Sequence, residues 1–288
     1  MKIKFLGSGS AFVSTKENYH SNVLITKSGE LVNEDGKKEN ITTNLLIDAG
    51  FHIGESLEHF GYKITDIDHI FITHNHGDHN GGLELIGFRT FFDKDAKKPM
   101  LFGNTQVLEV LWENVLKGNM QSLNNANKAT FLDFFDTRYL KPRSGFQILN
   151  TEFYPVRLPH VIDSDDEIPA FGLKWKEDGI NFFFSGDTQF DFWRLMPFWE
   201  QADIIFQECE FKEYDDSVHC QFRHLKDIPK IYREKMWLYH YMLDGKTFEE
   251  LNTMVTNFGF KGLIYRGQEF DTVELSDAFN QQSHSQVF

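Results

Sequence analysis

The sequence predicts an α/β fold in a single domain. Short apolar runs typical of β-strands recur along the chain, and segments with the periodicity of amphipathic helices lie between them. Of the 288 residues, 41% are hydrophobic, which is enough to bury one large core, and no stretch has the composition of a long linker. We therefore expect residues 1–288 to form one domain.

Nine runs have the length and composition of strands. In chain order they are KIKFL, NVLIT, NLLID, HIFIT, FYPVRLP, INFFFS, DIIFQ, WLYH and GLIYR. Their β-branched and aromatic residues favour extended backbone because such side chains pack well on a pleated surface. These runs predict the strands of the α/β fold.

The clearest predicted helix covers residues 104–117. Asn104 can cap its N-terminus, and Gly118 follows its predicted end. Four apolar residues share one face at helical spacing: Val107, Leu108, Leu111 and Val115. We expect this face to pack on the sheet.

Two segments read as insertions into the domain. Residues 27–43 are polar and contain the turn-forming sequence EDG, which predicts an exposed hairpin. Residues 88–145 are rich in phenylalanine and asparagine, and we interpret them as a helical lid over a pocket. In the alternative interpretation, these phenylalanines extend the core.

The charge of the chain disfavours polyanionic partners. Its 29 Lys and Arg residues against 43 Asp and Glu residues give a net charge of −14, so the surface field repels nucleic acids unless basic residues are concentrated somewhere. The longest basic runs are pairs, such as Lys37 with Lys38, which we interpret as solvated loop charges. RNA is therefore a less favoured partner than a small molecule.

Targeting and cysteine content predict a cytoplasmic protein. The first apolar stretch is too short for a secretory signal, and no window approaches the 18 apolar residues of a membrane span. Cys209 and Cys220 are too few for a disulfide framework, and their spacing is unlike that of zinc-thiolate motifs. We expect both cysteines to be reduced.

The sequence THNHGDHNGG, at residues 73–82, directly follows an apolar run and predicts a metal-binding loop. His74 and His76 alternate on an extended segment and can bind one ion together, whereas Asp78 and His79 follow a turn at Gly77 and can face a second ion. Imidazole and carboxylate ligands suit zinc, and also manganese or iron. Two such ions about 3.5–4 Å apart would activate a hydroxide, so the motif indicates hydrolytic chemistry.

Further ligand-type residues follow other apolar runs. His74 follows HIFIT, His160 follows FYPVRLP, Asp187 follows INFFFSG and His240 ends WLYH. In an α/β sheet the carboxyl ends of the strands lie along one edge, where residues distant in sequence converge. We expect these side chains to meet there.

These motifs resemble those of the metallo-β-lactamase superfamily, over nearly the whole length of the chain. THNHGDHNGG is similar to the family's His-x-His-x-Asp-His motif, LPH to its next histidine, FSGDT to its bridging aspartate and YHY to its last histidine. The resemblance implies an αββα sandwich of two mixed sheets flanked by helices, with the site at one edge. It also implies that the Asp48 of LLIDAG supports the metal loop.

The resemblance further implies a dinuclear centre. One divalent metal ion would be held by His74, His76 and His160, the other by Asp78, His79 and His240, and Asp187 would bridge them. Zinc is the expected metal, with manganese as the alternative. A lactamase would more often carry cysteine where Asp187 stands, so antibiotic hydrolysis is disfavoured.

Two segments resemble the phosphodiesterase branch that includes ribonuclease Z. KIKFLGSGSAF is similar to its N-terminal strand and turn, and FQECEF with VHCQF is similar to a segment in which a glutamate precedes a histidine that assists the leaving group. This likeness gives catalytic roles to Glu208 and His219, alongside Asp78. The gap between the first two is shorter here than in typical ribonuclease Z, and His224 is the alternative proton donor.

The substrate implied by the resemblance is a small phosphodiester. The basic arm with which ribonuclease Z grips tRNA has no counterpart that we can find, and KMWLYHY with GFKGLIYRGQEF resembles the end of cyclic-nucleotide phosphodiesterases of the phage anti-Pycsar type. We therefore expect hydrolysis of 3′,5′-cyclic nucleotides. His219, Tyr241 and Arg266 are the candidate substrate contacts, although simple packing for Tyr241 and solvation for Arg266 are the alternatives.

Other functions stay open at this point. They are tRNA 3′-processing by an endoribonuclease of the ribonuclease Z type, thioester hydrolysis of the glyoxalase II type, and metal binding without turnover. The family likeness also implies a homodimer in which one subunit covers the pocket of the other.

Overall fold

The structure is a computed structural model that describes residues 1–32, 35–123, 127–162 and 167–285, with side chains to residue 281. Its strands form two mixed sheets of seven strands each. The strands of the first sheet are, in spatial order, β14 (Glu269–Asp271), β1 (Lys2–Phe5), β2 (Val23–Val32), β3 (Lys38–Ile47), β4 (His69–Phe71), β5 (Met100–Asn104) and β6 (Asp136–Leu140). Those of the second are β13 (Gly262–Leu263), β12 (Met236–Tyr239), β11 (Ile204–Glu208), β10 (Ile180–Phe184), β9 (Glu167–Glu177), β8 (Thr151–Ile162) and β7 (Phe146–Ile148).

Each sheet changes from antiparallel to parallel pairing along its width. In the first sheet the pairs from β14 to β3 are antiparallel and those from β3 to β6 are parallel. In the second sheet the pairs from β7 to β10 are antiparallel and those from β10 to β13 are parallel. The carboxyl ends of the parallel strands therefore share an edge in each sheet, as the sequence predicts.

Helices connect the strands of both sheets. In chain order they are α1 (Ile53–His59), α2 (Gly77–Asn80), α3 (Leu83–Phe92), α4 (Thr105–Val110), α5 (Lys117–Met120), α6 (Phe131–Phe134), α7 (Phe192–Gln201), α8 (Phe222–Leu225), α9 (Lys230–Arg233), α10 (Phe248–Asn257) and α11 (Thr272–Ser285). A 3₁₀ turn spans Ile64–Asp66, and a π-helical segment spans Leu111–Leu116. Within the described part of the chain, no helix is long and apolar enough to cross a membrane.

Aromatic side chains join the two sheets face to face. The ring centroids of Phe5 in β1 and Phe206 in β11 are 5.1 Å apart, and those of Phe102 in β5 and Phe146 in β7 are 4.4 Å apart. A second cluster on the outer face of the second sheet packs Trp199 of α7 and the apolar side of α10. The predicted α/β sandwich is thereby confirmed.

All nine predicted strand runs overlap strands, and five further strands among the described residues were not predicted. The missed strands are β5, β6, β7, β9 and β14. Residues 88–145, interpreted as a helical lid, supply β5 and β6 to the first sheet, so the segment is not helical throughout. Phe131, Phe134 and Phe135 from this segment are buried in the core, as in the alternative interpretation.

The predicted helix 104–117 is present but longer and irregular. The Asn104 side chain accepts a hydrogen bond from the backbone N–H of Gln106, which confirms the N-cap. The helical chain continues past Gly118 to Met120 through the π-helical segment. Because a π turn contains an extra residue, it shifts the buried face by one position, so that Leu116 is buried and Val115 is 39% exposed.

The hairpin expected at 27–43 lies within the long antiparallel pair of β2 and β3. Their register runs from Val23 opposite Ile47 to Val32 opposite Lys38. The neighbouring strands β1 and β4 pair only with Val23–Thr26 of β2 and Leu45–Ile47 of β3. The part of the hairpin nearer its turn therefore projects beyond the sheet.

Candidate metal centre

Both sheets contribute ligand-type side chains to one edge of the sandwich. The first sheet supplies the loop after β4, which carries His74 and His76 and continues into α2 with Asp78 and His79. Asp187 follows β10 and His240 follows β12 in the second sheet. The strand ends thus converge as the sequence predicts.

His160 reaches the site differently from the prediction. It lies inside β8, which continues to Ile162, and not at the strand end. The pairing of β8 with β9 is irregular between Leu158 and Val161. A bulge of this kind re-aims a side chain, which explains how a residue inside a strand can face the site.

The seven predicted ligands form two adjacent groups with Asp187 between them. One group is His74, His76 and His160; the other is Asp78, His79, Asp187 and His240, and the ligand atoms within each group lie within 4.8 Å of one another. Oδ2 of Asp187 is 4.0 Å from Nε2 of both His74 and His160. It is also 3.2 Å from Nε2 of His79 and 3.3 Å from that of His240, so one carboxylate faces both groups.

Three of the histidines have the ring nitrogen remote from the centre held by a hydrogen bond. His79 Nδ1 donates to Asp48 Oδ2 at 2.7 Å, and His160 Nδ1 donates to the carbonyl of Val218 at 2.8 Å. His74 Nδ1 lies 3.0 Å from the hydroxyl of Thr73, which itself donates to Asp48. Each bond involves the outer nitrogen and aims the inner one at the centre, which is the arrangement of metal-bound histidine.

The inner atoms lie close together around the centre of the cluster. Nε2 of His160 and Nδ1 of His76 face each other at 3.1 Å. Nε2 of His74, Nε2 of His79 and Oδ1 of Asp187 are buried without a hydrogen-bond partner among the described residues. Since buried polar atoms are ordinarily satisfied, this nitrogen and oxygen donor set fits two divalent metal ions of the zinc or manganese type.

Backbone geometry holds the site in place. Asp48 and His240 have φ angles of 61° and 62°, in the left-handed region that residues other than glycine seldom adopt. The N–H groups of His240 and Tyr241 both donate to the carbonyl of Ser8, which anchors the turn after β12. A Cβ added at Gly50 would lie 2.0 Å from the carbonyl oxygen of Asp78, so the backbone after β3 touches the metal loop there.

The electrostatics of the cluster keep its carboxylates ionised. Burial raises the pKa of Asp187, but His240 and His79 outweigh it and hold that pKa well below its usual range. Asp78 has the same balance, since burial is outweighed by His79 and His240, and its pKa is lowered. Burial lowers the pKa of His74 well below its usual value, which keeps its ring neutral and able to bind a cation.

His219 lies at the mouth of the cluster, with Glu208 behind it. Its Nδ1 is 3.4 Å from Oε1 of Glu208 and 3.7 Å from Oδ2 of Asp187, and its side chain is 23% exposed. Burial lowers the pKa of His219, but Glu208 and then Asp187 raise it to about 9. Glu208 is fixed in turn by the backbone N–H groups of Thr188 and Cys220, which donate to its Oε1 at 3.0 Å.

The remaining predicted residues make their contacts outside this cluster. His224 stacks on Phe190, with ring centroids 5.2 Å apart. Tyr241 is buried, and its hydroxyl donates to the carbonyl of Ile264 at 2.8 Å. Arg266 donates to the carbonyl of Thr15 and lies over the Tyr19 ring at 5.0 Å.

Sequence reasoning missed several residues that hold the ligands. Thr73 bonds both Asp48 and His74, and Thr188 fixes Glu208. Both threonines adjoin predicted ligands in sequence, Thr73 before His74 and Thr188 after Asp187. Their position next to a predicted ligand could have identified them, because a hydroxyl beside a ligand residue can form a hydrogen bond with the backbone or the ring of that residue.

Comparison with known proteins finds relatives that match most of the chain. A family model described as "Anti-Pycsar protein Apyc1" matches residues 1–270. A protein of that name from Paenibacillus harenae is 29% identical over 254 residues, which cover 87% of this chain and 92% of the relative. Another from Bacillus phage 010DV004 is 30% identical over 274 residues, which cover 92% and 98%.

A solved structure shows the same fold. The metallo-β-lactamase fold protein YhfI from Bacillus subtilis matches with a TM-score of 0.66 and 14% identity, over 93% of this chain and 98% of YhfI. The chain therefore has the metallo-β-lactamase fold.

Proposed function

Because the chain belongs to the anti-Pycsar protein Apyc1 family, we propose that it is a metal-dependent phosphodiesterase that hydrolyses 3′,5′-cyclic nucleotides. The observation that carries the proposal is the Asp187 carboxylate, which faces two groups of histidines whose inner nitrogens point at one another. Such a pair of sites suits a dinuclear centre and the hydrolysis of a phosphoester.

The proposed ligand set follows the two groups. His74, His76 and His160 hold one ion, Asp78, His79 and His240 hold the other, and Asp187 bridges them. Zinc is the proposed metal, with manganese as the alternative. When bound, two such ions supply a nucleophile from water at neutral pH and offset the negative charge that develops on the phosphate.

The chain's own residues orient this chemistry. Asp48 and Thr73 fix the rings of His79 and His74, and Glu208 forms an ion pair with His219. Hydrolysis forms a bond from phosphorus to the oxygen of water and breaks one ring P–O bond of the cyclic phosphate. We assign to His219, partly exposed at the mouth of the cluster, the delivery of a proton to the departing ribose oxygen, a contribution of about 10²–10⁴-fold.

The partners and location in this proposal are those expected from the sequence. A small phosphodiester is the substrate, and the chain is a cytoplasmic homodimer. Roles for Tyr241 and Arg266 at the substrate stay predictions, since both side chains make structural contacts elsewhere. Light scattering on the purified protein measures the oligomer directly.

A substrate screen tests the function. Metal-stripped protein is reloaded with zinc or manganese and is offered cyclic mononucleotides, cyclic dinucleotides, a precursor tRNA and S-lactoylglutathione. We expect hydrolysis of cyclic mononucleotides to the linear monophosphate, lost on chelation and restored by metal. Cleavage of the tRNA or the thioester alone, or metal binding with no turnover of any substrate, would overturn the proposal.

A further inference from the structure

A cavity of about 410 Å³ lies next to the segments that carry Asp187 and His219. Its walls include Phe190, from the segment after Asp187, and Arg223 and His224, from the segment after His219. The ligand assignments above use none of these three residues.

The short segment between Asp187 and Phe190 limits the distance between this cavity and the metal centre. Phe190 is three residues beyond Asp187, and an extended chain spans at most about 3.6 Å per residue, so the two Cα atoms are within about 11 Å. The two segments touch where Asp187 meets His219 at 3.7 Å, and again where Phe190 meets His224. This is a distance that a nucleotide spans between its phosphate and its base.

The wall of the cavity is a flat aromatic pair. The rings of Phe190 and His224 stack with centroids 5.2 Å apart and an interplanar angle of 17°. Phe190 is half-buried, whereas His224 is exposed, so the imidazole presents an open face. Planar rings stack on such faces with little dependence on their identity.

Polar contacts hold the pair rigid. Nε of Arg223 donates to Nε2 of His224 at 3.3 Å, which leaves that nitrogen without a proton. The guanidinium also donates to the carbonyl of Tyr214 at 2.8 Å, so the imidazole is fixed along its edge as well as on its inner face. A stacking surface that is rigid before binding loses little conformational freedom when a ring packs on it.

Tyr241, one of the predicted substrate contacts, does not offer such a surface. Tyr241 is 2% exposed, and its hydroxyl is engaged with Ile264. Phe190 and His224 border a cavity whose wall also carries Asp227, and the carboxylate of Asp227 can accept a hydrogen bond from the edge of a heterocycle.

We propose that this cavity is the base subsite, in which the planar heterocycle of a nucleotide substrate stacks on the Phe190–His224 pair. This inference rests on the proposed phosphodiesterase function and adds the residues that distinguish a nucleotide from a simpler cyclic phosphate. His224, the alternative proton donor in the sequence interpretation, is thereby a specificity residue.

The test compares two substrates that share the reacting phosphate. One is a 3′,5′-cyclic nucleotide and the other is ribose 3′,5′-cyclic phosphate, which lacks the base. For wild-type protein we expect kcat/KM to favour the nucleotide. In Phe190→Ala and His224→Ala this preference falls about tenfold, mainly through a higher KM for the nucleotide, because stacking on the pair is lost.

Two further variants separate stacking from a general disturbance of the segment. His224→Phe keeps a flat ring and restores the preference. Trp193→Ala removes a 76% exposed aromatic from the same segment, outside the cavity wall, and leaves the preference unchanged. Thermal unfolding of each variant shows whether it is folded.

The outcomes distinguish this inference from the proposed function. A wild-type enzyme that hydrolyses both substrates equally well, or alanine variants that keep the preference, would overturn the subsite and leave the phosphodiesterase standing. An enzyme that hydrolyses neither substrate would overturn both.

Discussion

Oδ2 of Asp48 lies 2.7 Å from Nδ1 of His79, so a buried carboxylate fixes the ring of a proposed metal ligand. The same carboxylate accepts hydrogen bonds from the backbone N–H and the hydroxyl of Thr73, each at 2.8 Å. Asp48 therefore connects the end of β3 to both halves of the metal loop. It orients His79 by a direct hydrogen bond and His74 through the hydroxyl of Thr73.

Replacing Asp48 by asparagine should weaken metal binding without removing a ligand. Asparagine keeps the shape and tolerates positive φ, but its neutral amide no longer stabilises the His79 tautomer that offers Nε2 to the site. We expect the zinc dissociation constant to rise about 10–100-fold, measured by competition with a chromophoric chelator. Asp136→Asn is the matched control, because Asp136 pairs with Arg138 at the surface. Unchanged zinc affinity in Asp48→Asn would contradict the role.

Removing the bridging carboxylate should affect both proposed ions. Asp187 faces both groups of ligands, whereas His76 belongs to one. We expect Asp187→Ala to lose turnover and to lower bound metal at both sites, and His76→Ala to lose turnover and deplete one site. Metal analysis by mass spectrometry checks the stoichiometry, with His59→Ala, an exposed histidine, as the control. Full metal content and activity in Asp187→Ala would refute the assignment.

Replacing His219 should reduce kcat more for a substrate with a poorer leaving group. His219→Gln removes a proton donor but none of the proposed ligands, so bound metal stays at the wild-type level. We expect kcat for a cyclic nucleotide, whose leaving group is an alkoxide, to fall about 10²–10⁴-fold. For bis-p-nitrophenyl phosphate the loss should be much smaller, because nitrophenolate departs without a proton. Equal losses on both substrates would argue against proton delivery.

Sequence patterns identify the side chains that the structure brings together because most of them lie at the ends of apolar runs or in one short motif. Asp187 and His240 directly follow apolar runs, and the loop from His74 to His79 is a compact motif. His160 shows what the sequence could not predict. Its motif identifies it as a candidate ligand, but the direction in which its side chain faces depends on an irregularity in the pairing of β8 with β9. Register irregularities of this kind arise between strands and leave no signal in one strand alone.

The parts of the fold that sequence reasoning missed depend on tertiary packing. β9 pairs on both sides, yet its run of mixed residues lacks the apolar composition that marks the other strands. The π-helical segment shifts Leu116 into the core, which a pattern of 3.6 residues per turn cannot predict. The Phe190–His224 pair comes from two distant segments, so neither residue is conspicuous in the sequence.

Gly50 should not tolerate a side chain. A Cβ there would lie 2.0 Å from the carbonyl oxygen of Asp78 and 2.8 Å from Nδ1 of His20, and the first of these is backbone that cannot rotate away. We expect Gly50→Ala to lower thermal stability and zinc affinity together. Gly118→Ala is the matched control, because a Cβ there meets nothing within 4 Å and should stabilise the helix by about 0.4–1 kcal/mol. Wild-type zinc affinity in Gly50→Ala would show that the loop adjusts freely.

Stability should depend on the protonation of His69, at the other end of β4 from the metal loop. Burial lowers the pKa of His69, and the Asp68 carboxylate offsets this only in part, so the folded pKa lies below the unfolded value of about 6.5. Above that pH His69 is neutral in both the folded and the unfolded chain, so its contribution to the free energy of unfolding does not change with pH. As the pH falls through 6.5, the unfolded chain binds the proton first, and the free energy of unfolding decreases until the folded pKa is reached. We expect urea unfolding of metal-free protein to show a larger drop between pH 7.5 and 5.5 in wild type than in His69→Gln. The histidines of the metal centre contribute equally to both proteins, so their contribution cancels when the two drops in unfolding free energy are compared. An identical drop in wild type and variant would refute the assigned effect of burial.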